Sequence, residues 1–441
     1  MTDEERFKFV QQIHDAFTPT APIQSRDLFA GRRVQVDKVV RAVLQRGEHA
    51  ILYGERGVGK TSLVNTLFDL LVYMGRSDYQ VARVQCADGM DFKSMWRAVF
   101  RKLRTTVDGE EVYLDQTFEA LGEELNSEGI LHLFNLMDNP SIVIIDELDR
   151  VGGDKTTQIA LADTIKTLSD NSVPATLILV GVADNVDELV TEHLSTMRAL
   201  KQVPMPRMSI PELLEIVDKG IKHCVGLGKD STRRLAIDPT VRERTAELSL
   251  GLPEYTHRLA QEAALHVVNE GRRYIIMPDL EFAIRESVDN QLETSFSAYK
   301  LAVEAPRGTL FKPVLLACAL AKKDEHGFFY AKDIVQPLRL IESSTQNSVD
   351  QKTKRRKHEL EIPAFARHLK QFSNAERGPV LQNKKRQYRF LRPSMEPYVI
   401  LRGLSDGLIS EAKLSRPSKA VSNEPGQLSL LSSYVGPEIE I

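Results

Sequence analysis

YGERGVGKTSL, Tyr53 to Leu63, fits the pattern G-x-x-x-x-G-K-[ST] through Gly54, Gly59, Lys60 and Thr61. The apolar run Ala50–Tyr53 ahead of it predicts a strand, and the pattern from Lys60 to Tyr73 predicts a helix. Between a strand and a helix, such a loop is a phosphate site. Gly54, Glu55, Arg56, Gly57, Val58 and Gly59 offer backbone N–H groups to phosphate oxygens, helped by the positive end of the following helix. Lys60 neutralises the β/γ oxygens, Thr61 supplies a hydroxyl to Mg2+, and Ser62 completes the loop. Kinases, motors, switches and DNA-loading machines all carry such a loop, so it names the ligand before the function.

Further along, Val81–Cys86, Ile142–Ile145, Thr176–Val182 and Gln202–Met205 are short apolar runs without polar alternation. Strands covered on both faces read that way, and the stretches between them are long enough for crossover helices. The expectation is an α/β fold with a doubly wound parallel sheet. The run SIVIIDELDR ends in Asp146 and Glu147, with Asp146 placed 85 residues after Thr61. A carboxylate at a strand tip beside the loop can hold Mg2+ through water, and the next acid can polarise an attacking water. That pair favours hydrolysis over phosphate transfer to a small molecule. A small-molecule kinase fits poorly.

Ahead of the loop, Asp3 onward reads as a helix capped by Thr2 with Glu5 three residues later, and Pro19 and Pro22 enforce an extended link before a helix from Val34. With acids where a secretory signal would have bases and no unbroken apolar core, the first residues are expected to form that first helix and not a signal. No apolar run approaches the ~18 residues that span a bilayer. Cys86, Cys224 and Cys318 are too widely spaced for a metal site and too few for a secreted scaffold, so buried reduced thiols in a cytoplasmic protein are expected. No His/Cys cluster suggests a metal beyond magnesium.

The total charge of −3 conceals a division. Arg307–Arg402 holds 20 Lys/Arg against 9 Asp/Glu, a net of +11, which leaves −14 for the remainder. An acidic body with a basic segment suits a polyanionic partner. From Ile210 to about Ala305 the pattern is entirely helical, and the last residues, rich in Ser, Pro and Gly, read as a loose tail.

With YGERGVGKTSL and IVIIDE in this order, the chain resembles the AAA+ and STAND branch of P-loop ATPases, closest to the initiator (origin-recognition) clade. The resemblance implies an AAA+ nucleotide-binding domain over 31–209 after an N-terminal helix and linker at 1–30. A helical lid at 210–305, a winged helix at 306–414 and a tail at 415–441 would follow. It implies that LFAGRRVQVDKVV lines the adenine, making Phe29, Gly31 and Arg32, with Pro22 and Ile23, candidate base contacts. Asp184 or Asn185 stands where the family senses the γ-phosphate. Arg198, with Arg207 in reserve, stands where an arginine finger reaches a neighbouring subunit, which implies a homo-oligomer.

Gly251, Leu252 and Pro253 match the G-x-P that STAND proteins pack on the nucleotide. Glu254 replaces the early arginine of many AAA+ proteins and leaves His257 and Arg258 as substitutes, a departure that favours a switch over a fast motor. The wing would carry Lys384, Lys385, Arg386 and Arg389, and Lys354, Arg355 and Arg356 precede the recognition helix, as candidate contacts to double-stranded DNA. The implied function is a slow ATPase coupling ATP state to DNA binding or to a recruited protein effector, without a membrane. The alternative is a nucleotide-controlled signalling or defence scaffold that acts through a separate effector chain and ignores DNA.

Overall fold

A computed structural model describes residues 1–121, 125–151, 155–184, 186, 189–190, 194–225, 234–289, 293–304, 310–324, 327–345, 362–374, 378–410 and 414. The chain forms two compact units, one spanning Pro22–Arg207 and the other joining Met1–Ala21 to Met208–Ser422.

In chain order the elements begin with α1 (Asp3–Ala16), α2 (Arg33–Leu44), β1 (His49–Gly54), α3 (Lys60–Tyr73), β2 (Gln80–Gln85) and α4 (Phe92–Phe100). Next come β3 (Arg104–Val107), β4 (Glu110–Tyr113), α5 (Leu114–Leu121), α6 (Ser127–Asn135) and β5 (Ser141–Asp146). Then follow α7 (Lys155–Asp170), β6 (Ala175–Val182), α8 (Leu194–Ala199) and β7 (Leu200–Pro204).

The first unit is built on a five-stranded parallel sheet in the order β2-β5-β6-β1-β7. All five strands expected from the sequence are present, each shifted by no more than two residues at its start. Their apolar runs have the predicted cause: Ser141–Asp146 is buried throughout, as is all of β6 except Val182. One face of the sheet packs on an aromatic cluster of Trp96, Phe100 and Phe134, with ring centroids 5.6 to 6.1 Å apart. The β3–β4 hairpin, turning at Asp108-Gly109 with φ of 53° and 85°, was not foreseen. It is tied to the start of β2, where the Gln80 side chain donates to the Arg104 carbonyl and accepts from the Arg104 N–H, both at 2.8 Å.

The second unit continues with α9 (Ile210–His223), β8 (Ala236–Ile237), α10 (Pro239–Leu248), α11 (Pro253–Asn269), β9 (Tyr274–Ile275), α12 (Met277–Asp289) and α13 (Glu293–Val303). It ends with α14 (Phe311–Leu320), β10 (Phe329–Tyr330), α15 (Val335–Thr345), α16 (Ile362–Phe372), β11 (Leu381–Lys384), β12 (Gln387–Phe390) and α17 (Met395–Ser405). The region expected to be wholly helical thus contains a two-residue parallel pairing, β8 with β9, too short to leave a period in the sequence.

The N-terminal helix packs within this unit. Thr2 caps it as expected, its hydroxyl accepting the Glu5 N–H at 3.2 Å. Glu5 pairs with Arg273 at 2.7 Å, and the Phe17 ring lies over Gly220, where a Cβ would come within 2.2 Å of it. Gly220 therefore has no room for a side chain.

Two buried histidines tie stability to pH. His49 Nδ1 accepts the Leu177 N–H at 3.0 Å inside the sheet, and His257 Nδ1 accepts the Thr18 N–H at 3.3 Å beside Phe17. Burial pushes each down to about 4. Because the folded pKa is below the unfolded 6.5, stability is complete above that value and is lost as pH falls towards 4. Each histidine carries roughly 3 kcal/mol of that loss. Chemical denaturation at pH 7.5 and 5 should show the decline, and a His257→Gln variant should show a shallower one.

Candidate functional site

The phosphate loop leaves β1 and enters α3 as the sequence pattern requires. Gly54 has φ of 148°, and a Cβ there would lie 2.4 Å from the Met205 carbonyl oxygen, so the turn accepts only glycine. Gly57 and Gly59, at φ of 87° and 93°, carry the loop into the first turn of α3. Lys60 is buried, and its Nζ donates to the carbonyls of Gly54 at 2.9 Å and Glu55 at 2.8 Å. Burial lowers Lys60 to about 8 against the opposing pull of Asp149 and Asp146.

β5 lies one strand away from β1 across β6, and its tip faces the loop. Thr61 Oγ1 donates to Asp146 Oδ2 at 3.2 Å, which brings the two sequence motifs into contact. Asp146 Oδ1 accepts the Glu147 N–H at 2.9 Å. Glu147 itself holds a left-handed backbone, φ 56°, and its carboxylate pairs with Arg150 at 2.7 Å. A non-glycine residue in that conformation costs about 1 to 3 kcal/mol, and such outliers gather at active sites. Asp149 accepts the Val182 N–H at 2.8 Å and so ties the segment after β5 to β6. The buried Cys86 thiol nearby is pushed up to about 12, first by burial and then by Asp146, Asp149 and Glu147. All three cysteines are free and buried.

Two residues hold the segment ahead of α2 to the loop. The Ile23 N–H donates to Ser62 Oγ at 3.1 Å. Arg32, buried and left-handed at φ 59°, donates from one nitrogen to the Val58 and Pro206 carbonyls, both at 2.7 Å. Arg32 thus braces the phosphate loop, and Phe29 sits half-buried in the turn that precedes it. Arg207 pairs with Glu55 of the same loop at 2.8 Å, whereas Arg198 is exposed at the end of α8. Asp184 is half-buried after β6, and Asn185 lies outside the described residues. Pro253 opens α11 in the other unit, where the neighbouring Arg258 pairs with Glu254 at 3.3 Å.

Arg83 was missed by sequence reasoning. It stands on β2, and its Nη2 reaches Asp146 Oδ2 at 2.7 Å, the oxygen that Thr61 also contacts. Its other nitrogen bonds Asn65 of α3. A single arginine in an edge strand carries no pattern, so only the fold reveals it.

Magnesium suits this donor set. Thr61 and Asp146 are hard oxygen donors in contact, and among the described residues no group of three His, Cys, Asp or Glu forms a metal cage. Mg2+ is typically held by one or two protein oxygens together with substrate phosphates.

In the other unit, β11 and β12 form a hairpin whose exposed tip is Lys384, Lys385 and Arg386. Lys385 and Arg386 both have left-handed backbones, φ 51° and 69°. That two-residue turn normally prefers Asn-Gly, so the cations are held there at a conformational cost. Arg389 stacks its guanidinium 4.6 Å from the Phe328 ring centroid. Lys354, Arg355 and Arg356 lie outside the described residues. Among the described residues, no helix is long and apolar enough to cross a membrane.

Comparison with solved structures finds loose likenesses over most of the chain. The Aeropyrum pernix ORC1 protein in complex with DNA shares 14% identity at a TM-score of 0.44, covering 86% of this chain and 93% of that one. The A. pernix ORC2 protein shares 15% at 0.46, covering 91% and 97%. The Thermotoga maritima RuvB Holliday junction branch migration motor shares 14% at 0.44, covering 84% and 95%. No curated protein sequence matches the chain. A protein-family model does match, that of the AAA domain, over residues 43–190. That span holds the phosphate loop, the Asp146–Glu147 strand tip and four of the five strands. Residues 43–190 are an AAA domain, the nucleotide-binding module of AAA+ P-loop ATPases.

Proposed function

We propose that this chain is a cytoplasmic ATP-binding and ATP-hydrolysing switch that couples its nucleotide state to DNA binding and to assembly with partner proteins. The contact of Thr61 with Asp146 at 3.2 Å carries the reading, because it unites the phosphate loop with the strand-tip carboxylate. In use, Lys60 leaves the loop carbonyls for the β/γ oxygens, and the loop N–H groups hold the phosphates. Thr61 and Asp146 hold Mg2+, which when bound offsets phosphate charge. Glu147 parts from Arg150 to take a proton from the attacking water. Ile23 and Arg32 fix the segment that carries Phe29, the adenine contact of this reading.

In this reading Arg198, exposed on α8, serves a neighbouring copy as its arginine finger, whereas Arg207 is engaged with its own loop. The order α14, β10, α15, α16, β11, β12 suits a winged helix whose tip cations neutralise backbone phosphates of double-stranded DNA.

Changing Lys384, Lys385 and Arg386 together to Ala is expected to weaken duplex binding. It should reduce the slope of log K against log salt by up to ~3, about one for each lost phosphate contact. Fluorescence anisotropy across a salt series reads this directly. An unchanged slope, with ATP-dependent assembly that ignores duplex, would replace the DNA reading with a signalling scaffold.

A further inference from the structure

Asp146 is buried, with its side chain 4% exposed, and carries three contacts on two oxygens. Oδ1 accepts the Glu147 N–H, while Oδ2 is the oxygen in contact with Thr61 of the phosphate loop, and Arg83 shares it. The Arg83 guanidinium is a fixed positive charge set on the oxygen that a divalent cation would need. Its fork is not adventitious: one arm is on Asp146 and the other on Asn65 of α3, the helix that begins with Lys60 and Thr61. Arg83 therefore bridges the outer strand, the strand-tip acid and the phosphate-loop helix. Its side chain is 35% exposed, which leaves it room to withdraw.

We propose that Arg83 is a positioning residue that balances the charge of Asp146 and thereby sets how much divalent cation the site needs. The inference rests on the nucleotide-binding reading above. With Arg83 in place, Asp146 is neutralised within the protein and draws a cation weakly, so metal enters mainly with the phosphates that share it. Without Arg83 the carboxylate keeps its full charge for the cation. Two like charges a few ångströms apart at a partly screened site repel strongly enough to change binding about tenfold.

The test is a Mg2+ titration of fluorescent ADP binding, which reads the metal without turnover. For Arg83→Gln, the Mg2+ concentration at half-maximal enhancement is expected to fall about tenfold below that of the unaltered protein. Arg83→Lys, which keeps the charge and loses the fork, is expected to stay within about twofold of it. A merely structural role predicts the opposite pattern, both variants needing more Mg2+ and melting earlier. An unchanged or raised midpoint in a normally melting Arg83→Gln protein would overturn the proposal and leave nucleotide binding intact. If the unaltered protein bound no fluorescent ADP at any Mg2+ concentration, the nucleotide reading itself would fall and this proposal with it.

Discussion

A Glu147→Gln protein is expected to bind ATP as tightly as the original and to hydrolyse it about a hundredfold to ten-thousandfold more slowly. The amide keeps the size and polarity of the side chain but cannot accept a proton, and a positioned general base contributes that much to rate. The local frame survives the change, because the left-handed turn at residue 147 and its N–H bond to Asp146 belong to the backbone. Binding measured by fluorescent nucleotide and turnover measured by phosphate release separate the two effects. Normal turnover would remove Glu147 from the chemistry and shift attention to Asp149, whose carboxylate already bonds the Val182 N–H.

Lys60→Ala is expected to act earlier, on binding itself. Lys60 is the buried cation of the loop, held by two loop carbonyls at 2.8 and 2.9 Å, and Ala offers nothing to the β/γ oxygens. A charge-assisted contact of this kind is worth about 1.5 to 3 kcal/mol, so affinity for ATP should drop roughly ten- to a hundredfold or more. AMP, which lacks those oxygens, should lose little. Equal losses for ATP and AMP would mean that the variant loop had collapsed. Thermal stabilisation by each nucleotide distinguishes the outcomes. Turnover by Lys60→Ala close to that of the original would sink the phosphate-loop assignment.

Much of the first unit was legible because its physics is local. A strand buried on both faces has to be apolar along its length, and SIVIID and ATLILVGV are. The phosphate loop was legible because Gly54 has no room for a Cβ and Lys60 has a fixed place in the spacing. Arg83 was not legible, since its meaning lies in a partner 63 residues away and an arginine on an outer strand resembles any solvated charge. Arg32 was singled out for the base; its hold on two carbonyls is a separate role, visible only once Val58 and Pro206 are brought near. The β3–β4 hairpin did leave a sign, the Asp108-Gly109 pair that suits its turn, but weak alternation around it hid the strands. The basic hairpin was legible in charge, yet the left-handed backbone of Lys385 and Arg386 was not.

The place of α1 has a consequence for how the chain is made. Its partners, Gly220, His257, Gln261 and Arg273, are encoded roughly 200 residues or more after it, with the whole sheet unit in between. At synthesis rates of about 5 to 20 residues per second, the helix waits some 10 to 50 seconds for its docking surface. Phe9, Ile13 and Phe17, fully buried at the end, lack α9 and α11 throughout that interval. A nascent chain of which residues 1–207 have left the ribosome should therefore present the sheet unit together with an unpaired apolar helix. Such a chain invites chaperone capture at α1.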